Sequence, residues 1–156
     1  MDLSSPSLPR NPDQALLQRF LEDPGTPLAM ETNPFAAALG GVLAAADPAA
    51  GTIGLAFRPG PAFLQGNGVI QGGAVTAMLD FAMAFAVLAG MPPEVTAATA
   101  SLTVSFLAAA WPGEYVAEGF VERRGKRLAF ARAELRPAAG GAPVATASSV
   151  LALLGG

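Results

Sequence analysis

The chain has 156 residues, the size of one domain with a substantial core and too few for two ordinary domains. Apolar residues make up 52% of it and charged residues only 13%, more apolar surface than one chain of this size normally buries, so we expect a buried interface between subunits. The net charge of −3 predicts no general attraction to nucleic acid or to an anionic membrane. Because cysteine and histidine are both absent, disulfides, thiolate nucleophiles and Ser-His-Asp triads are excluded, and we expect no metal site.

The N-terminal part predicts an arm and short helical pieces. Residues 1–10 are rich in Ser and Pro, which predicts a loose arm. Asn11 before Pro12, and later Asn33 before Pro34, are each typical of a helix start. The first helix would end near residue 24, and the second would be a short turn leading into residues 39–46, both packed over the main sheet. We therefore expect an arm and short helix over residues 1–33 and a single domain over residues 34–156.

The first thirty residues lack a basic start followed by an unbroken apolar run. This pattern predicts no signal peptide. We expect the protein to be cytoplasmic.

Alternation of apolar and polar residues predicts five strands. The first covers residues 52–57. The second covers residues 96–107, where Leu102, Val104 and Phe106 alternate with Thr99, Ser101, Thr103 and Ser105. Three further runs follow at residues 114–123, 126–136 and 143–153, separated by Gly-containing turns. We expect the last four runs to form a meander.

Residues 74–89 are apolar apart from Thr76 and Asp80. This segment is shorter than the about 20 residues of a typical membrane span and contains a carboxylate near its centre. A helix that is apolar all round in a soluble protein must be wrapped on most sides. Since alternating strands surround it, we favour an α+β fold, an antiparallel sheet curled around this helix, over a single-span membrane protein.

Asp80 is the first candidate for chemistry. A carboxylate in apolar surroundings is costly unless it is paired, and desolvation should raise its pKa. Thr76, one turn earlier, is placed to hydrogen-bond it. The alternative is structural: Asp80 would lie where the helix meets water, or would bond a neighbouring backbone amide.

Gly72 and Gly73 open the helix without side chains to cover its free N–H groups. Such a start suits a carbonyl oxygen that gains negative charge, although a tight turn would also use two glycines. Asp80 lies eight residues beyond Gly72, which is roughly 12 Å along a helix axis. If both groups act on one acyl carbon, one of them must come from a second copy across a two-fold interface.

Two other groups of residues offer ligand contacts. Gln65, Asn67 and Gln71 supply amides before the glycine pair that could orient a water or a carbonyl, or could simply bond within a loop. A basic cluster surrounds Gly125 and would suit a phosphate-bearing ligand, although a solvated hairpin tip explains it equally well. Its members are Arg123, Arg124, Lys126 and Arg127.

Residues 67–73, NGVIQGG, followed by the apolar helix with Asp80, resemble the signature of the 4-hydroxybenzoyl-CoA thioesterase superfamily, phenylacetate-pathway (PaaI-like) type. In that family a His-Gly-Gly triplet opens the central helix, and an acid follows the first glycine at this spacing. Residues 104–107, 112–114, 124–127 and 144–147 resemble the later motifs in order and spacing. The resemblance covers residues 34–154 and implies a hotdog fold, a curved antiparallel sheet wrapped around a long central helix.

The resemblance also implies roles. Asp80 would be the nucleophile or general base, and the Gly72 amide would polarise the thioester carbonyl across the dimer. Gln65 matches an amide near the catalytic water, and Thr99 matches a hydroxyl that some members use. The expected substrate contacts are Asn67, Gln71, Gly73, Arg124, Gly125, Lys126 and Arg127.

The implied function is hydrolysis of an aryl or medium-chain acyl-CoA by a homodimer or dimer of dimers. No cofactor is expected, because coenzyme A is part of the substrate, and neither nucleic acid nor membrane is expected as a partner. One departure from the pattern is Gln71, which replaces the usual histidine and cannot carry a proton charge. It leaves open a hotdog protein that binds an acyl or acyl-CoA group without turnover. A purely structural subunit of a larger assembly would leave Asp80 unexplained.

Overall fold

The computed structural model describes residues 11–155, so the expected loose arm over residues 1–10 lies outside the described part. Within that part the chain forms three α-helices: α1 (Pro12–Glu22), α2 (Pro34–Ala38) and α3 (Gly72–Ala89). Seven strands form one antiparallel sheet: β1 (Leu28–Ala29), β2 (Val42–Asp47), β3 (Thr52–Phe57), β4 (Thr96–Phe106), β5 (Tyr115–Arg124), β6 (Leu128–Pro137) and β7 (Ala145–Leu154). Their order across the sheet is β1-β2-β3-β5-β6-β7-β4.

The two short helices begin where the Asn-Pro pairs predict. The Asn11 side chain accepts a hydrogen bond from the Asp13 N–H at 3.0 Å. Asn33 accepts from the N–H groups of Phe35 and Ala36. In both cases a side-chain oxygen satisfies donors that the first helical turn leaves free, and a proline at the first position has no N–H to satisfy.

The apolar helix α3 begins at Gly72, and the sheet wraps around it, as the α+β prediction requires. By length and composition α3 could cross a membrane, but 61% of that segment is buried inside this fold. It contacts β3, β4, β5, β6 and β7. The surface that an apolar helix must bury is thus covered by the inner face of the sheet.

Small residues on the inner face of the sheet allow the backbone of α3 to lie very close to the strands. The side chains beneath the helix are mostly buried alanines, on β5, β6 and β7: Ala117, Ala129, Ala131, Ala133 and Ala147. At Gly119 on β5 a Cβ atom would clash with the carbonyl oxygen of Ala82. The absence of a side chain at Gly119 therefore sets how deep the helix lies.

The predicted four-strand meander is wrong in its first member. Strands β5, β6 and β7 are consecutive neighbours, but β4 pairs with β7 at the far edge of the sheet and not with β5. The reason is the course of α3, which crosses the sheet from the β3 side and delivers the chain to the opposite edge. The meander then fills the gap between β3 and β4.

The region after α2 also differs from the prediction. The sequence pattern predicts that residues 39–46 follow a helical turn and pack over the sheet, but Val42–Asp47 is strand β2, paired with β3. Gly40, with a φ of 66°, ends the helix in a conformation that glycine adopts freely. Alanine has low strand propensity, so the pairing with β3, a tertiary contact, decides the outcome.

We expect Gly119→Ala to lower the free energy of unfolding by about 1–3 kcal/mol or more, because the added methyl group must push α3 away from β5. Urea denaturation followed by circular dichroism measures this. Gly60→Ala is the matched control, since a Cβ atom there meets nothing within 4 Å. It should cost no more than about 0.5 kcal/mol. Equal unfolding midpoints for the two variants would contradict the close-approach interpretation.

Candidate active site

Asp80 lies on the face of α3 that the chain leaves open. Most of the helix is buried, whereas a stripe facing away from the sheet is half-buried or exposed: Gly73, Thr76, Asp80, Phe81 and Ala84. Thr99 on β4 donates a hydrogen bond from Oγ1 to Asp80 Oδ1 at 2.8 Å. Burial raises the pKa of the Asp80 carboxyl, and the Thr99 bond opposes this by favouring the charged form. The structure thus holds a partly desolvated carboxylate in one orientation.

The predicted bond between Thr76 and Asp80 is not formed. Thr76 Oγ1 instead donates to the carbonyl oxygen of Gly72 at 2.8 Å, one turn back along its own helix. A threonine within a helix often bonds the carbonyl four residues earlier, because that oxygen is within reach of its χ1 rotamers. Thr99, and not Thr76, is therefore the residue whose hydroxyl group donates a hydrogen bond to Asp80.

A β-bulge brings Thr99 to Asp80. Plain alternation places Thr99 with Ser101 and Thr103 on one polar face of β4. The pairing of β4 with β7 shifts register between Thr99 and Ser101. The extra residue, Ala100, turns Thr99 toward the helix while Ser101 stays on the outer face. The alternation predicted for this strand is therefore wrong at Thr99.

The start of α3 forms a second cluster, beside a cleft of about 490 Å³. Gly72 lines this cleft together with Gln65 and Asn67. Among the backbone hydrogen bonds of residues 11–155, the first two N–H groups of α3, those of Gly72 and Gly73, have no acceptor. These donors and the positive end of the helix dipole suit an oxygen that carries negative charge.

Gln71 occupies the N-cap position of α3. Its side chain is exposed and makes no capping hydrogen bond. Its backbone holds the turn together, because the N–H donates to the Phe63 carbonyl oxygen at 2.7 Å and the carbonyl oxygen accepts from Ala74 and Val75. The side-chain amide is thus available beside the free N–H groups of the glycines.

The basic turn (Arg123, Arg124, Lys126 and Arg127, with Gly125 between) lies at the other end of α3. Arg124 Nη2 donates to the carbonyl oxygen of Val87 at 3.3 Å. A Cβ atom at Gly90 would meet the same guanidinium group. Arg124 therefore caps the C-terminus of the helix, where a cation offsets the negative end of the dipole. The other three cations of the turn are exposed.

The predicted residues thus form three separate groups. Asp80 meets Thr99, Gly72 meets Gln65 and Asn67, and the basic turn stands apart. The rise of α3 keeps Asp80 roughly 12 Å from Gly72 along the axis, so one chain does not bring them to a single atom. Sequence reasoning missed the aromatic side chains Phe106 and Trp111, which line the cleft. The available signal was the single tryptophan in a connection between two strands.

We expect Thr99→Val to raise the pKa of Asp80 further, because it removes a hydrogen bond that favours the charged form while keeping the shape of the side chain. A ¹³C NMR titration of the Asp80 carboxyl measures the shift. Thr103→Val is the control, since Thr103 lies on the same strand but on the outer face. A titration that is the same for all three proteins would show that Thr99 does not tune Asp80.

Comparison with known proteins places this arrangement in a family. The family model "Thioesterase superfamily" matches residues 67–143. The phenylacetic acid degradation-related protein of Ralstonia eutropha JMP134 is 32% identical, with 88% of this chain and 98% of that chain covered and a TM-score of 0.76. A comparison with curated protein sequences gave no significant match.

Two more distant structures share the fold. A thioesterase family protein from Silicibacter pomeroyi is 24% identical, with 90% and 99% of the two chains covered and a TM-score of 0.76. The E. coli PaaI protein from the phenylacetic acid degradation operon is 19% identical, with 95% and 98% covered and a TM-score of 0.74. The chain therefore belongs to the thioesterase superfamily and has its hotdog fold.

Proposed function

We propose that the protein is an acyl-CoA thioesterase that hydrolyses an aryl or medium-chain acyl-CoA at Asp80. The observation that carries the proposal is the state of that residue. Asp80 is the one charged side chain on the 18-residue helix α3, whose one other polar side chain is Thr76; it is partly desolvated, and Thr99 fixes its orientation. A carboxylate kept in such a place at a cost to stability is typical of a catalytic group.

The chemistry requires an attack on the acyl carbon. Asp80 either removes a proton from a water that attacks, or attacks directly and forms an anhydride that water then hydrolyses. In both routes the carbonyl oxygen gains negative charge, and a helix-start N–H at Gly72 stabilises it. In the water route the C–S bond breaks as the tetrahedral intermediate collapses, the sulfur takes the proton that Asp80 removed from water, and the carboxylic acid is released. In the direct route the C–S bond breaks as the anhydride forms, the thiolate takes a proton from water, and hydrolysis of the anhydride releases the acid and restores Asp80.

This chemistry needs two subunits, because Asp80 and Gly72 of one chain are too far apart. A two-fold axis makes the contacts reciprocal, so that each Gly72 meets the Asp80 of the other copy. The two α3 helices then run antiparallel and cross near Thr76, midway between the two positions. The free edge of β4 suits this pairing, since joining two such edges continues the sheet and brings the helices side by side.

The remaining polar groups divide between the thioester and the coenzyme. Gln65 and Gln71 orient the water or the thioester carbonyl beside Gly72, and Gly73 keeps the helix start open to it. The exposed cations Arg123, Lys126 and Arg127 bind phosphates of coenzyme A around the turn at Gly125, whose own N–H donates to the carbonyl oxygen of Leu128 at 2.8 Å. Arg124 acts mainly through the helix end that it caps.

One observation favours a second candidate function. Gln71 stands at the N-cap with an exposed side chain that can hydrogen-bond but cannot transfer a proton at neutral pH. A hotdog protein that holds an acyl-CoA without turnover would use such a residue equally well. Tight calorimetric binding of acyl-CoAs, together with no release of thiol, would favour this function over hydrolysis.

Asp80→Asn should lower kcat for acyl-CoA hydrolysis by about 10²–10⁴-fold, because the amide neither accepts a proton nor attacks the acyl carbon. The assay follows free thiol released from a panel of aryl and medium-chain acyl-CoAs. Asp47→Asn is the control, since Asp47 is an exposed carboxylate at the end of β2, where its side chain accepts a hydrogen bond from the Ala50 N–H. Thiol release at the uncatalysed rate by the wild-type protein across the panel would exclude the proposal.

Gly72→Pro tests the shared site, because proline removes the N–H while fitting the first position of a helix. Alone it should lower kcat by about 10²–10³-fold. When Gly72→Pro and Asp80→Asn chains are co-expressed, about half of the dimers are mixed and each has one intact site of two, so about a quarter of the wild-type activity should return. A site within one chain would give no recovery.

A further inference from the structure

Asn67 differs from the other two asparagines of the chain in the residue that follows it. Asn11 and Asn33 each precede a proline, whereas Asn67 precedes Gly68. The backbone nitrogen of the residue after an asparagine can attack the amide carbon of its side chain. Proline has no N–H and cannot make this attack, and glycine has no side chain to hinder it. Asn67 is thus the asparagine of this chain whose neighbour favours the reaction.

The turn that carries Asn67, residues 65–68, is exposed along its whole length. The Gly68 N–H donates to the carbonyl oxygen of Gln65 at 2.9 Å. Gly68 has a φ of 82°, and a Cβ atom there would meet nothing within 4 Å. One backbone hydrogen bond therefore restrains the attacking nitrogen, and no other part of residues 11–155 crowds the position next to it.

The base of this turn stays in place when its tip opens. Leu64 pairs with Ile70 in an isolated bridge, and the Ile70 N–H donates to the carbonyl oxygen of Ala110 at 2.7 Å. Val69 and Ile70 are buried. Breaking the Gly68 hydrogen bond at the tip moves no apolar side chain out of the interior, so this opening is a local event and not an unfolding of the core.

The side chains of the three asparagines also differ in their hydrogen bonds. Asn11 and Asn33 each cap a helix by accepting from backbone N–H groups, and their Nδ2 atoms donate to neighbouring side chains. Among the hydrogen bonds of residues 11–155, none involves the side chain of Asn67. The Asn67 amide is therefore free to turn toward the Gly68 nitrogen.

We propose that Asn67 is a site of spontaneous deamidation and that its conversion lowers activity; the second part rests on the proposed function. The Gly68 nitrogen gives its proton to water and bonds to Cγ of Asn67. The Cγ–Nδ2 bond breaks, and Nδ2 takes up a proton and leaves as ammonia. The product is a cyclic imide. Water then adds to one of the two imide carbonyl carbons, and the ring opens to aspartate or isoaspartate.

The new carboxylate lies on the wall of the cleft that Asn67 shares with Gly72. In the proposed reaction the thioester carbonyl oxygen gains negative charge beside Gly72, and a fixed negative charge nearby opposes that gain. The positive end of the α3 dipole also attracts the carboxylate, which then competes for the free N–H groups. Isoaspartate in addition lengthens the backbone of the turn by one carbon atom. Both products therefore weaken the stabilisation of the reacting oxygen.

Peptide mass spectrometry of protein incubated in mildly alkaline H₂¹⁸O tests the modification, because the oxygen added on ring opening comes from the solvent. We expect labelled aspartate and isoaspartate to accumulate at position 67, while Asn11 and Asn33 remain asparagine. Gln65 and Gln71 also precede glycines and are further internal controls, since their cyclisation needs a larger ring. Asparagine retained at position 67 throughout, or equal conversion of all three asparagines, would overturn the proposal.

Asn67→Asp and Asn67→Gln test the consequence for activity. Asn67→Asp carries the charge of the product from the start, and we expect its kcat/KM for acyl-CoA hydrolysis to be about tenfold below that of the wild type. During incubation the wild-type protein should lose activity in step with the conversion of Asn67. Asn67→Gln, measured against its own starting activity, should lose much less, because glutamine cyclises more slowly.

Two results would overturn the link to activity. One is an equal loss of activity in the wild type and in Asn67→Gln, and the other is an Asn67→Asp variant as active as the wild type. A wild-type protein that hydrolyses no acyl-CoA from the start would contradict the proposed function and with it the link to activity. The mass measurement would still decide whether Asn67 deamidates, so the two failures are distinguishable.

Discussion

The contact between Gly119 on β5 and the backbone of α3 at Ala82 fixes the position of the central helix, and the candidate site depends on that position. Ala82 lies two residues after Asp80, which is about 200° around the helix. When Ala82 faces the sheet, Asp80 must face the other way, on the open stripe. The same placement brings Asp80 within 2.8 Å of Thr99 at the edge of the sheet. Alanines on the inner face allow the contact, since larger side chains would lift the helix away.

Features that depend on local chemistry could be predicted from the sequence, and those that depend on tertiary pairing could not. Asn11 and Asn33 cap helices through bonds to residues two or three positions away, so the sequence pattern was sufficient. The placement of β4 depends on where an 18-residue helix delivers the chain, and β2 depends on a partner strand. The hydrogen bond from Thr99 to Asp80 depends on one extra residue, a β-bulge, in the pairing of β4 with β7. The hydrogen-bond acceptor of Arg124 is the backbone oxygen of Val87, 37 positions earlier in the chain.

The charged form of Asp80 in the candidate site lowers the stability of the folded state. Burial raises the pKa of Asp80, so the folded state holds the proton more tightly than the unfolded state does. Folding is therefore favoured while this group is protonated, and that contribution is lost as the pH rises through the raised pKa. The charged form of Asp80 that the proposed chemistry requires is the form that the fold favours less. Such a conflict is common at functional sites, where residues are retained for reactivity at a cost to stability.

The unpaired edge of β4 is suited to pairing with a second copy of the chain, but it also exposes the protein to aggregation. The strand has eleven residues, contains neither proline nor a charged side chain, and pairs only with β7 among the described residues. Natural sheets usually protect an edge with lysine, proline or a short length, because free N–H and C=O groups recruit foreign strands. A β-bulge also protects an edge, and β4 has one at Ala100. Unless another strand covers this edge, exposed strands of other unfolded chains can pair with it, which leads to aggregation.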